Sequence, residues 1–556
     1  MLFRSNLGVC QKLLGEPQKA YDSFYKATWS GAWQNAAFYA MACIKAANGE
    51  PQAALAHVER SLVRNVHHMK ARTLKTALLR RCGKTEQAAD FARQSLAIDP
   101  MDYGARYELG AKARKDLFAA ICANANWCIE LALDYAEAGF YTEAQDIVSQ
   151  AIAAGNRYPL LFYYSAQFAA AQGQNPAVLL QQAAAAPSDY CFPHRLEDLS
   201  VLQWAVRQNP ADAKGWYYLG DLWYDKRQYD EAVTCWQTSR GLDDTFATVH
   251  RNLALAYYNK CNRPQQAKQE MERAFALNPH DARVMMELDQ LYKKLGMPQA
   301  ERLAMYKAHP EVVRMRDDLY LEYVSLYNFL GDHETALQLI CERKFHPWEG
   351  GEGKVPAQWV AALVGLAKAA LQKGDAQKAA ELLKRATVYP HNLGEGKLAG
   401  AQENNIYYYM GKAYQKLGQA ETATACFERA SLGLSEPAGM MYYNDQPPEM
   451  IFYQGLARLA LGDTSGANSR FNRLIDYAER HLNDHVQIDY FAVSLPDLQI
   501  FEEDLDVRNH VHCLFMRGLG LLGKGDAAGA EECFAQAQAL DPGHAGVQLH
   551  RGMRIG

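Results

Sequence analysis

The residues best suited to chemistry gather in two short stretches. "FHPWEGGEGKV" spans residues 345–355 and "YPHNLGEGKLAG" spans 389–400, and their Gly-Glu-Gly-Lys tetrapeptides start 43 residues apart. The first offers His346, Trp348, Glu349, Glu352 and Lys354, and the second Tyr389, His391, Asn392, Glu395 and Lys397. Three chemistries suit such a set. A glycine-rich turn before a lysine could cradle a phosphate, paired glutamates could act as general acid and base on a glycoside, and aromatics framed by charges could anchor another protein.

Spacing argues against the first. A phosphate-binding loop needs glycine, four residues, then glycine, lysine and serine or threonine. Trp348 and His391 stand where the leading glycines should be, and Val355 and Leu398 follow the lysines, so the pattern fails in both copies. A nest of backbone amides beside Lys354 or Lys397 remains as a weaker anion site. The glycoside reading requires Glu349, Glu352 and Glu395 to converge on a substrate, whereas loop glutamates commonly stay solvated or pair with neighbours such as Lys354 and Lys397. The glycines then serve turns that pack Trp348 and Tyr389 onto their scaffold.

Other candidates are poorer. "NHVHC" supplies His510, His512 and Cys513, but alternate residues of a helix point apart and would not converge on a metal. No local signature singles out a nucleophile and base among 12 cysteines and 16 histidines. No cofactor and no metal are expected.

The elements that must carry these loops are helices. At 556 residues the chain exceeds what one core supports, and its Ala, Leu, Gln, Glu and Lys content with little strand alternation reads as all-α. Gly15, Gly49 and Gly83 recur every 34 residues, the first two opening the same "GEPQ", and Gly139 and Gly173 repeat the interval. "WYYLGDLWYDKRQYDEAVTCWQTSRGLDD" places Trp216, Leu219, Gly220, Trp223, Ala232 and Trp236 at helical spacings. "YYYMGKAYQKLGQAETATACFERA" does the same with Tyr407, Gly411, Tyr414, Ala423, Phe427 and Ala430, and the last copy with Gly518, Ala530, Phe534, Ala537 and Pro542.

This pattern resembles the tetratricopeptide repeat over nearly the whole chain. The resemblance implies a right-handed superhelix, an α-solenoid of helix-turn-helix repeats, whose concave face is lined by first helices and which binds other proteins. Small residues such as Gly220 and Ala232 should let paired helices approach, with Trp216, Trp223 and Trp236 as core filling the space between hairpins. Asp375, Asp463 and Asp526, each directly after a glycine, should cap second helices. Three segments are expected: N-terminal repeats over 1–115, central repeats over 116–310, and C-terminal repeats with inserted edge loops over 311–556.

In that last segment the inter-helix glycines Gly331, Gly374, Gly418, Gly462 and Gly525 lie 43, 44, 44 and 63 residues apart. The surplus over 34 marks inserts near 345–356, 388–400, 434–448 and 484–508, all emerging on one edge of the solenoid. "HPWEGGEGK" followed one repeat later by "GEGK" resembles the C-terminal region of large bacterial proteins of the YphG type, in which a mutarotase-like domain precedes the repeats. No strand-rich region here would make that domain, and "MLFRSNLGVC" enters a repeat almost at once, so a fragment of such an architecture is expected, with "HAGVQLHRGMRIG" as a terminal cap. The resemblance implies docking of the mutarotase-like domain or of a partner in sugar metabolism.

Charge and cysteine usage bound the setting. A net charge of −5 without a basic stripe gives no support to nucleic-acid binding, and no apolar run of about 18 residues would span a membrane. Without CxxC pairs or a signal pattern, the cysteines read as reduced core residues and the protein as cytoplasmic. The expected function is a non-catalytic interaction scaffold with the ten loop residues as its surface. The alternative is an edge that completes a carbohydrate-active site through Glu349 or Glu352, and a third reading places an extended peptide in the concave groove.

Overall fold

Apolar residues at three- and four-residue spacing fold into successive helices, and most pairs are turned back on themselves by a short, glycine-marked connection. The computed structural model describes residues 2–110, 120–348, 350–439, 445–487 and 500–555, and among them the protein is all-α with no strand. Helix hairpins stacked on their neighbours make an α-solenoid. No described helix is long and apolar enough to cross a membrane. The chain divides into two compact units, Met1–Thr245 and Phe246–Gly556.

The repeated "GEPQ" explains itself in the first unit. Gly15 and Gly49 take φ of 76° and 78°, a left-handed conformation that ends one helix, and Pro17 and Pro51 stand at the first position of the next. The hairpins Leu2–Leu13 with Pro17–Ala27 and Gly31–Ala47 with Pro51–Arg64 follow directly. Within this unit the array folds back on itself, for Lys12 Nζ meets Glu137 Oε1 at 2.8 Å across 125 residues.

One packing device recurs in both units. A Cβ on Gly220 would lie 2.5 Å from the Trp236 ring, and one on Gly411, Gly455 or Gly518 would lie 2.3 to 2.5 Å from Phe427, Phe471 or Phe534. The glycine on the first helix is therefore the seat of an aromatic from the second. The expectation that all three tryptophans of "WYYLGDLW" and its partner helix are core needs correction. Trp236 is 3% exposed, but Trp216 and Trp223 are only half-buried and line a cleft of about 450 Å³ with Val206, Leu219 and Arg207. Lying seven positions apart, they share a helix face that this hairpin leaves partly uncovered.

The second unit holds seven described hairpins. They begin with Ala247–Asn259 and Pro264–Leu277, then Ala282–Lys294 and Gln299–Ala308, Asp317–Phe329 and His333–Glu342, and Lys354–Gln372 and Ala376–Ala386. The last three are Asn404–Lys416 with Ala420–Ala430, Pro448–Ala460 with Thr464–His481, and Leu505–Gly523 with Ala527–Leu540. Asp375, Asp463 and Asp526 cap second helices as expected, accepting from the amides of Lys378, Gly466 and Gly529 at 2.8 to 3.0 Å. The unit closes on itself: the Gln299 side chain donates to the Pro542 carbonyl at 3.1 Å, and Phe501 packs on Tyr258. The cysteines are free thiols, and Cys43, Cys235, Cys426 and Cys533 are buried in helices.

Candidate functional site

The first loop leaves helix His333–Glu342, and its geometry is set by Asp317 at the start of the preceding first helix. Asp317 accepts from Arg343 Nε at 2.5 Å and from both the backbone amide and Nδ1 of His346, at 2.9 and 3.1 Å. Burial pushes the Asp317 carboxyl up, but these donors outweigh it and leave the carboxyl below its usual range. Phe345 then turns inward, 1% exposed, edge-on to Tyr320. His346 itself stays exposed.

Beyond it, Trp348 is half-buried and lies over Gly351, where any Cβ would sit 2.2 Å from the indole. Gly351 is thus required for close approach and Gly353, at φ 74°, for the left-handed turn that starts the next helix. Lys354 is the first residue of that helix and, like Glu352, is exposed. Glu349 lies outside the described residues.

The second loop is bound to the first. Phe345 N donates to the Asn392 carbonyl at 2.8 Å, and the Asn392 side chain donates back to the carbonyls of Ile340 and Arg343 at 2.8 and 3.0 Å. Asn392 therefore satisfies acceptors at the open end of helix His333–Glu342. Gly394, at φ 78°, passes so close that a Cβ would meet the Phe345 carbonyl at 2.6 Å. The 43-residue echo brings the loops together, but the two tetrapeptides differ in structure: the first enters a helix, whereas the second remains a loop.

The anion site expected near these glycines is filled from within. Glu395 Oε2 accepts from Gly353 N at 2.8 Å, at the N-terminus of helix Lys354–Gln372 where the helix dipole favours negative charge. Burial raises the Glu395 carboxyl; the Gly353 amide opposes that rise and the charge of Glu352 adds to it. Lys397 is also engaged within the protein, donating to the Thr387 carbonyl at 2.7 Å and to Glu403 at 2.6 Å. Tyr389 is half-buried, its hydroxyl pushed up by burial and by the nearby charges of Glu403 and Glu395. His391 is exposed at the start of a single turn of 3-10 helix.

Of the ten loop residues nine are described. Asn392, Glu395 and Lys397 bond across or within the loops, while His346, Trp348, Glu352, Lys354, Tyr389 and His391 are half-buried or exposed. Asp317, Phe345 and Glu403 escaped the sequence reading. Asp317 had a signal, being an acid in the first turn of a helix one repeat upstream. Asn392→Ala should cost about 1–3 kcal/mol locally, since it strips donors from two carbonyls. The Phe345 amide, which bonds to residue 392, should then exchange its hydrogen about tenfold faster or more; unchanged protection would mean that other contacts hold the loops.

His510, His512 and Cys513 do diverge. The rings of His510 and His512 bond to the carbonyls of Leu482 and Ala438, and the Cys513 thiol is buried. Among the described residues no group of three ligating side chains could hold a metal ion.

Family models described as tetratricopeptide repeat match residues 199–238 and 405–431, the latter covering the hairpin that follows the second loop. Among solved structures, a tetratricopeptide repeat protein from Parabacteroides merdae is 16% identical, with 52% of this chain and 98% of that chain covered at a TM-score of 0.24. A thermophilic repeat protein from Thermus thermophilus is 18% identical, covering 36% of this chain and 96% of that chain with a TM-score of 0.22. YrrB, described as a repeat protein with an unusual peptide-binding site, is 18% identical over 41% of this chain and 96% of its own, with a TM-score of 0.17.

Proposed function

We propose that this chain, which carries tetratricopeptide repeats, is a non-catalytic scaffold for protein-protein or interdomain contact, with the paired loops as its specific surface. Repeats of this type generally mediate protein interactions. The observation that carries the reading is the direct bonding of the loops, Phe345 to Asn392 and Gly353 to Glu395. Loops fixed to one another cost little further ordering when a partner binds. Trp348 and Tyr389 are the aromatic anchors, and Glu352, Lys354 and His391 form the polar rim. The partner proposed is a mutarotase-like domain of a longer parent architecture, or a partner in sugar metabolism.

The enzymatic alternative through Glu349 or Glu352 draws less support, because Glu395, the carboxylate of the second loop that could pair with them, is committed to a helix N-terminus. The test compares the intact chain with a Trp348→Ala/Tyr389→Ala variant of unchanged helicity in a pull-down from bacterial lysate. The partner of the intact chain should be lost, with at least a tenfold drop in affinity for that partner once purified. Equal capture by both would move the interaction to the concave groove and sink the loop surface.

A further inference from the structure

The second unit contains a peptide-like contact between parts of the chain some 240 residues apart. Residues 500–503, an irregular stretch before helix Leu505–Gly523, lie across the C-terminal end of helix Ala247–Asn259. Asn259 handles their backbone as a strand neighbour would. Its Nδ2 donates to the Ile500 carbonyl at 2.8 Å and its Oδ1 accepts from the Glu502 amide at 2.9 Å, so one side chain brackets Phe501.

Side chains add selectivity to this backbone grip. Phe501 is 1% exposed and meets the Tyr258 ring edge-on, with centroids 5.2 Å apart. Glu502 pairs with Lys260, and Glu503 pairs with Lys294 at 3.1 Å. The parts are those of linear-peptide recognition: main-chain hydrogen bonds, one aromatic in a pocket, and two acids facing two lysines. The contact is also small. At this contact one ring, one amide and partly exposed ion pairs hold the segment against the first two hairpins of the unit.

We propose that Tyr258, Asn259, Lys260 and Lys294 form a docking site for an acidic linear peptide, with an aromatic residue followed by two acids, and that Ile500–Glu503 is its resident occupant, displaceable by such a segment of a partner. The site shares no residue with the paired loops, and its fate does not depend on theirs. Tethering raises the local concentration of the resident segment to about the millimolar range, so the unmodified chain should appear nearly closed to the same peptide in solution.

The test uses the full chain and a fluorescent acetylated peptide, Ile-Phe-Glu-Glu-Asp-Leu, corresponding to residues 500–505. Weakening the resident segment by Phe501→Ala should raise peptide affinity at least tenfold over the unmodified chain. Adding Asn259→Ala should abolish that gain, and a peptide with alanine for phenylalanine should not bind. Raising the salt concentration should weaken binding, because both lysines act on acids near the surface. Should Phe501→Ala prove poorly folded by circular dichroism, Glu502→Lys, which sets like charge against Lys260, provides the same opening. Equal affinity in the opened and unmodified chains, or no binding to either, would overturn the proposal.

Discussion

Arg302→Ala is expected to destabilise the second unit by about 3–5 kcal/mol, because it leaves buried charge without a partner. Arg302 grips Asp289 with two parallel bonds, at 2.8 and 2.7 Å, and reaches Glu322 with a third at 2.7 Å. The side chains of Arg302 and Asp289 are 4% and 3% exposed, so water cannot replace the lost guanidinium. Hydrogen exchange over helices Ala282–Lys294 and Gln299–Ala308 is the suitable readout, since a chain of two units need not unfold in one step. The same physics gives a contrast: Asp289→Leu combined with Arg302→Met should recover much of the loss, because removing both buried charges also removes their desolvation cost. A single variant within about 0.5 kcal/mol of the unmodified chain would refute the account.

Within this cluster Glu322 favours the folded chain less in acid, opposed by Asp289, whose carboxyl burial holds above its ordinary range. Burial pushes the Glu322 carboxyl up, but Lys293 and Arg302 outweigh it and hold the group at about 2, below its ordinary 4.5. A carboxyl whose folded value is depressed contributes stability that is complete above its unfolded value and lost as pH falls through the folded one. The contribution of Glu322 should therefore fade between about pH 4.5 and pH 2, and the Arg302→Ala chain should have a shallower dependence in that window.

The second large effect is steric. Phe471 is fully buried between two glycines, and a Cβ on either Gly455 or Gly523 would lie 2.3 Å from its ring. Gly455→Ala would recover about 1 kcal/mol of helix propensity, which partly offsets the overlap. Gly455→Val gains less and needs more room, so a net loss of about 3 kcal/mol is expected, read from the denaturant midpoint of the second unit. Phe471→Leu in the same chain should return part of it by withdrawing the ring. A loss as large in the double variant as in Gly455→Val would mean that the clash is not with Phe471.

The repeats were legible because their turns demand particular residues. Gly15, Gly49 and Gly83 recur at 34 because each holds a left-handed conformation. The same reading weakens after Gly173, since Arg227 and Asn262 adopt φ of 60° and 51° at turns where glycine would be easier. In the loops, spacing announced that two similar stretches would be neighbours, but not that Glu395 would fill the amide site beside the first. That contact depends on a 42-residue register between loop and helix end, which no local pattern encodes. Trp216 and Trp223 were misjudged for a related reason: periodicity marks a shared face, whereas the depth of its cover depends on the neighbouring hairpin.

A row of repeats normally frays, because its terminal members have a neighbour on one side only and each can melt at the cost of a single interface. In the second unit the first two hairpins also touch residues near its far end, through Asn259 and Gln299. Melting either terminal hairpin then breaks contacts at both ends of the row. Such an array should lose its structure in fewer, larger steps than an open one of equal length, so one weakened contact at Asn259 would be felt as lost cooperativity across all seven hairpins.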